Sequence, residues 1–161
     1  MRGRRGAAAA VVGAVAMLLV CGAARAESAT CDIPIIHAMS GTGATQIDAQ
    51  IDLLRPYLSK APFTAWHDFK LLDRKNLTLE QNTPVQFMMP NGRPATIKFL
   101  GHTTGPGDHR MRLQLYIDHP EKKHRVLDTT VVIDEGGVFL HVGQRHDNGV
   151  LILGVSCKTQ N

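Results

Sequence analysis

The stretch MRLQLYI, residues 111–117, decides the fold, because its apolar and polar residues alternate without a break. Met111, Leu113, Leu115 and Ile117 fall on one face of an extended chain, and polar or amphipathic residues fall on the other. A period of two is typical of a β-strand with one buried face. This stretch therefore predicts a sheet that packs against a second layer.

Further strands extend outward from this one, with turn signals at nearly regular spacing. One such signal is the Asn91-Gly92 pair, which favours a tight hairpin because both residues tolerate positive φ. We expect about eight strands in an antiparallel sandwich or partly closed barrel. The other predicted strand segments are residues 32–38, 69–72, 77–79, 85–89, 95–100, 126–133, 138–143 and 150–157.

A single N-terminal helix is expected between the first two strand regions. Ile47, Ile51, Leu54 and Leu58 follow one another at spacings of four, three and four residues, which form one stripe of a helix. Pro56 lacks the N–H that a helix interior needs, so we expect the last turn to bend or end there. The fold class is therefore mainly β, with one helix packed on the sheet.

The first 26 residues have the pattern of a cleavable signal peptide. Three arginines precede the uncharged stretch 7–20, which is shorter than the roughly 20 residues that a membrane-spanning helix needs. Ala24-Arg25-Ala26 is a small-x-small site, so cleavage is expected after Ala26, with Glu27 as the new N-terminus. Residues 27–161 are then one β-rich domain, exported to the periplasm or the cell exterior.

Three alternatives to this signal remain open. A lipoprotein signal would place Cys21 first in the mature chain, but Val20 stands where a small residue is required. Arg4-Arg5 suggests a twin-arginine signal, although Gly6-Ala7 does not fit that motif. The segment would otherwise stay as an uncleaved anchor helix, and no later segment is apolar enough to span a membrane.

Charge argues against nucleic acid as a partner. The chain has 18 Lys and Arg residues against 14 Asp and Glu residues, a formal net charge of +4. Four of the arginines and none of the acids lie in residues 1–26, so the predicted mature domain carries no net charge. A neutral domain has no overall field that attracts DNA, RNA or anionic lipid.

Cys31 and Cys157 are the two cysteines that remain after the predicted cleavage. An even number of cysteines in an oxidising compartment predicts a disulfide, with two free thiols as the alternative. If the first and last strands pair, these two residues come within bridging distance.

Histidine supplies the candidate metal ligands. His141, His146 and Asp147 flank the last predicted hairpin, and imidazole is a common ligand of zinc and copper. Their spacing matches no specific metal motif. No residues fit a nucleophile elbow, a phosphate loop or a pair of catalytic carboxylates, so the sequence predicts no catalytic residue.

Two parts of the sequence carry a resemblance to known proteins. The stretch FKLLDRKNLTL (69–79), the turn at 90–93 and the stretch VGQRHDNGVLILGV (142–155) resemble small exported bacterial proteins of uncharacterised function. The segment 130–143 is similar to the strand-glycine-strand hairpin of bacterial secretins, but departs from it at His141-Val142. The resemblances imply an exported β-domain and provide no catalytic residues.

We therefore expect an exported, non-enzymatic domain with a binding or structural role in the cell envelope, whose partner is an envelope protein. An edge strand offers a route for such a partner, through strand addition. The alternative is a histidine-based metal-binding protein or a metal-dependent enzyme.

Overall fold

The computed structural model describes residues 27–103, 105, 109–121 and 124–160. The predicted signal peptide, with Cys21, Ala24 and Ala26, lies outside the described residues. Glu27, the predicted new N-terminus, directly precedes the first strand.

Nine strands form two sheets in the described part of the chain, which confirms the mainly-β sandwich with a short helix. The five-stranded sheet has the order β2-β3-β1-β9-β8, and the four-stranded sheet has the order β4-β5-β6-β7. All pairings are antiparallel except that of β2 with β3. The strands are β1 Ser28–Met39, β2 Gln46–Ile47, β3 Asp68–Glu80, β4 Pro84–Met88, β5 Pro94–His102, β6 Arg110–Asp118, β7 Arg125–Asp134, β8 Val138–His146 and β9 Gly149–Gln160.

The main core lies between the two sheets. The alternating apolar residues of β6 are almost completely buried there, as their spacing predicts. They pack with the inward-facing residues of β1 and β9, such as Ile33, Ile35 and Leu153. Removal of this apolar surface from water is the main force that holds the sheets together.

A second apolar layer covers the outer face of the five-stranded sheet. Its helical part consists of a 3-10 helix, Ala49–Leu54, the helix α1, Arg55–Leu58, and a second 3-10 helix, Phe63–Ala65. Ile51 and Leu58 pack from these helices against residues of β1, β3 and β9. Among the described residues, no helix is long and apolar enough to cross a membrane.

This helical layer differs from the predicted single helix in two ways. Ile47 lies in β2, because residues 46–47 pair with β3 before the first helical turn begins. Pro56 lies in the first turn of α1. The N–H groups of that turn have no intrahelical acceptor, so a proline there costs no helical hydrogen bond. The helical segment changes from 3-10 to α at Arg55, directly before Pro56, and ends at Leu58, two residues after it.

The ends of the described chain meet in the middle of the five-stranded sheet. β1 pairs with β9 along most of its length, and Cys31 is the register partner of Cys157. A disulfide joins these two residues, as predicted. β3 is one continuous strand rather than the two predicted pieces, because its polar middle pairs with β1; one register shift lies beside that stretch, between Leu71 and Asp73.

Candidate functional site

The predicted metal ligands His141 and His146 share a face of β8 but lie far apart along it. An irregularity between Val142 and Gln144 adds one residue to β8, so a separation of five residues leaves both histidines facing the second sheet. Their register partners on β9 are four residues apart, which corresponds to about 13 Å. Ligands of one zinc ion each lie about 2 Å from it, so the two histidines are not brought together.

His141 is partly buried on its own. Its Nε2 atom is enclosed and has no hydrogen-bond partner in the described part of the chain. Burial lowers the pKa of His141 below its ordinary value, because the charged imidazole loses hydration there. The described residues contain no group of three or more His, Cys, Asp or Glu side chains arranged to hold a metal ion.

His146 meets a histidine that residue spacing does not single out. The Nε2 atom of His37, on β1, lies 3.2 Å from the carbonyl oxygen of His146, and the two rings meet edge to face with centroids 5.1 Å apart. Because a carbonyl oxygen only accepts, His37 donates from Nε2. Asp147 extends this contact, with its carboxylate 3.6 Å from Nε2 of His146. The contact ties the β8–β9 hairpin to β1.

The β4–β5 turn closes the same end of the sandwich. Arg93 donates from Nη1 to the Gln144 side chain at 3.0 Å, and Asn91 donates from Nδ2 to the carbonyl oxygen of Arg145 at 3.3 Å. These contacts cover the C-terminal part of β8, beyond its irregularity. Neither of these two hydrogen bonds reaches the N-terminal part of β8, residues 138–142.

A second polar cluster joins three strand ends, and sequence spacing could not reveal it. His102 Nδ1 lies 3.1 Å from the Glu27 carboxylate, and His102 Nε2 lies 3.0 Å from the Thr159 hydroxyl. A carboxylate only accepts, so Nδ1 donates to Glu27. Glu135 accepts from the backbone N–H of Thr159, which lowers the pKa of Glu135.

The order carboxylate, imidazole, hydroxyl is that of an acyl-transfer triad. Such a triad also needs N–H donors at the oxyanion position and a cleft that holds the substrate. In this structure the contacts of Glu27, His102 and Thr159 tie β1, β5 and β9 together, and we call these three residues the clasp.

Four of the described strands lie at sheet edges, and three of them carry features that block further pairing. β2 has only two residues. β4 has five residues and begins with Pro84, which has no N–H to offer. β7 carries charges at both ends, with Arg125 paired to Asp128 near its start and Asp134 as its last residue.

The fourth edge, the N-terminal part of β8, has none of these features. Residues 138–142 (VFLHV) contain no charged residue and no proline, and their described strand partners all lie on β9. Val138, Leu140 and Val142 pack with the outer apolar layer, and Phe139 packs with the core between the sheets. We call residues 138–142 the open edge.

Two hollows flank the beginning of the open edge. The smaller hollow, about 350 Å³, lies between Tyr57, Val132 and Phe139. The larger, about 410 Å³, runs between the helical layer and the sheet, and the two share Tyr57 and Val138. Tyr57 and Val132 are 44% and 47% exposed, so apolar surface lies beside unpaired backbone.

The comparisons with known proteins add no assignment to this geometry. No family model, no curated protein and no solved structure matches the chain.

Proposed function

We propose that this protein is an exported binding domain of the cell envelope that takes up an extended polypeptide segment along the open edge. The observation that carries this proposal is an uncharged edge, residues 138–142, whose strand partners among the described residues all belong to β9. An added strand forms main-chain hydrogen bonds with such an edge, and pockets beside it select alternate side chains.

The surroundings of the edge favour a bound segment with apolar side chains on both faces. On one face, an incoming side chain would reach the hollow between Tyr57 and Val132. On the other face, it would extend the layer formed by Val138, Leu140 and Val142. Both contacts would remove exposed apolar surface from water, which adds to the main-chain hydrogen bonds.

The disulfide and the first 26 residues support an exported location. Disulfides persist in oxidising compartments such as the periplasm and the cell exterior. Residues 1–26 have the charge, length and small-x-small pattern of a secretory signal. Together these features favour a partner in the envelope.

A photocrosslinking experiment tests the proposal. A photoreactive amino acid replaces Phe139, and the full chain is expressed in the cells that produce it naturally. Irradiation is expected to yield discrete crosslinked products from position 139. The added substitution Val142→Lys places a charge on the edge and should remove these products, because a buried lysine opposes strand addition.

Val126→Lys provides the matched control. Val126 lies on the β7 edge and is 40% exposed. The control therefore makes the same valine-to-lysine change on an edge strand of the other sheet. We expect this variant to retain the products from position 139. Equal loss in both variants, or an absence of crosslinks at position 139, would contradict the proposal.

A further inference from the structure

We infer that the segment that pairs with the open edge is the same segment of a second copy of this chain, in antiparallel orientation about Leu140. The inference rests on the proposed function, since it uses the same edge, and it names the partner. The resulting dimer would join two five-stranded sheets into one sheet of ten strands.

The open edge is self-complementary. With Leu140 on the twofold axis, Val138 of one copy lies opposite Val142 of the other, and Phe139 lies opposite His141. These cross-strand pairs are apolar or aromatic, a combination that stabilises antiparallel sheets. A twofold dimer uses the same patch on both copies, so each pair occurs twice.

Charges beyond the two ends of the open edge select the antiparallel orientation. Exposed Asp134 and Glu135 precede it, and exposed Arg145 follows it. Antiparallel pairing places the acidic turn of each copy near Arg145 of the other. Parallel pairing would place the two acidic turns side by side, and like charges in close proximity destabilise an interface.

The orientation also makes both apolar layers continuous across the seam. A twofold axis perpendicular to the sheet leaves the helical layers of both copies on the same side. Tyr57 of each copy then lies beside the seam, next to Val138, where it lines both hollows. The apolar surface at these hollows would be covered from both copies.

The test measures the mass of the full protein, purified from its natural cells, by sedimentation equilibrium. Protein concentrations up to about 1 mM are used, so that a dimer with a dissociation constant as weak as about 1 mM is detected. We expect a concentration-dependent dimer, which is lost in Val142→Lys and retained in Val126→Lys. A second variant gives a test that does not require the fold to accept a lysine. Leu140→Cys should form a crosslinked dimer with a short thiol-specific reagent, because the Leu140 positions of the two copies lie opposite each other at the axis. Val126→Cys should not.

The outcomes separate this inference from the proposed function. A chain that stays monomeric, but crosslinks to other proteins from position 139, overturns the inference and leaves the proposed function standing. A dimer that survives Val142→Lys and gives no crosslink at position 140 also overturns the inference, since it uses another surface. A monomer without crosslinks from position 139 overturns both.

Discussion

Cys31 and Cys157 lie directly opposite each other in the β1–β9 ladder, with Cα atoms 4.1 Å apart and a disulfide between them. The bond therefore joins the first and last strands at the centre of the five-stranded sheet. It closes a loop with a sequence separation of 126 residues, and strands β2 to β8 lie entirely within that loop.

Removal of this bond should destabilise the domain substantially. In the chain-entropy model, a loop of this length stabilises the folded state by about 4–5 kcal/mol relative to an open unfolded chain. We expect the double variant Cys31→Ser/Cys157→Ser to lose a free energy of unfolding of this order, measured by urea denaturation. An unchanged denaturation midpoint would contradict the assignment of the bond as a major stabilising element.

The outer helical layer permits a comparison of two leucines. Leu58 is 1% exposed and Leu53 is 93% exposed, although both belong to the same short helical stretch. Leu58→Ala should lower the free energy of unfolding by about 2–5 kcal/mol, because it leaves a cavity. Leu53→Ala should change it by less than about 0.5 kcal/mol. Similar losses in both variants would mean that the layer does not pack as described.

The stability of the protein should depend on pH through His141. Its pKa lies below the ordinary value of 6.5 because burial disfavours the charged form. Below that value the unfolded chain binds a proton at His141 that the folded chain does not bind, so the free energy of unfolding decreases as pH falls. The contribution is fully present above pH 6.5 and is lost between 6.5 and the lowered pKa of the folded state.

Substitution of this histidine isolates its contribution. His141→Gln should show a smaller decrease in the free energy of unfolding than the natural protein between about pH 7.5 and 5.5. The lowered pKa values of Asp73, Asp128 and Glu135 act in a more acidic range, because the ordinary values of these carboxyls are 3.8–4.5. An identical pH dependence in both proteins would show that His141 is not the group responsible.

The clasp at Thr159 should be structural. Thr159→Val removes the hydroxyl that contacts His102 and keeps the branched shape, so it should cost about 1 kcal/mol in the free energy of unfolding. The rate at which the protein hydrolyses an activated ester should be the same before and after the substitution. A Thr159-dependent rate would instead support an acyl-transfer function for Glu27, His102 and Thr159.

The sheets could be predicted from the sequence because burial imposes a period of two on each strand. The alternation at 111–117 and the Asn91-Gly92 turn both correspond to observed elements. The disulfide was predicted from the even number of cysteines expected in an oxidising compartment, and the pairing of β1 with β9 brings the two residues together. The helix was less predictable, since the spacing of Ile47 fits a helical stripe although residues 46–47 pair with β3.

The contacts of the candidate site could not be predicted from the sequence, for a different reason. His37 and His146 are 109 residues apart, and their contact depends on how β1, β9 and β8 are ordered. The faces of His141 and His146 depend on the irregularity next to Gly143, which shifts the alternation by one residue. The status of β8 as an edge strand likewise follows from sheet order, which residue spacing does not specify.

Amide hydrogen exchange at residues 138–142 tests the central claim most directly, because strand addition forms backbone hydrogen bonds there. We predict fast exchange at the outward-pointing amides of the open edge in dilute protein, and slow exchange when the protein is concentrated or the proposed partner segment is bound. The amides of the β7 edge should exchange at the same rate in dilute protein and in the assembled state. Outward-pointing amides of residues 138–142 that are already protected in dilute monomer, or that exchange equally fast in the assembled state, would contradict the claim.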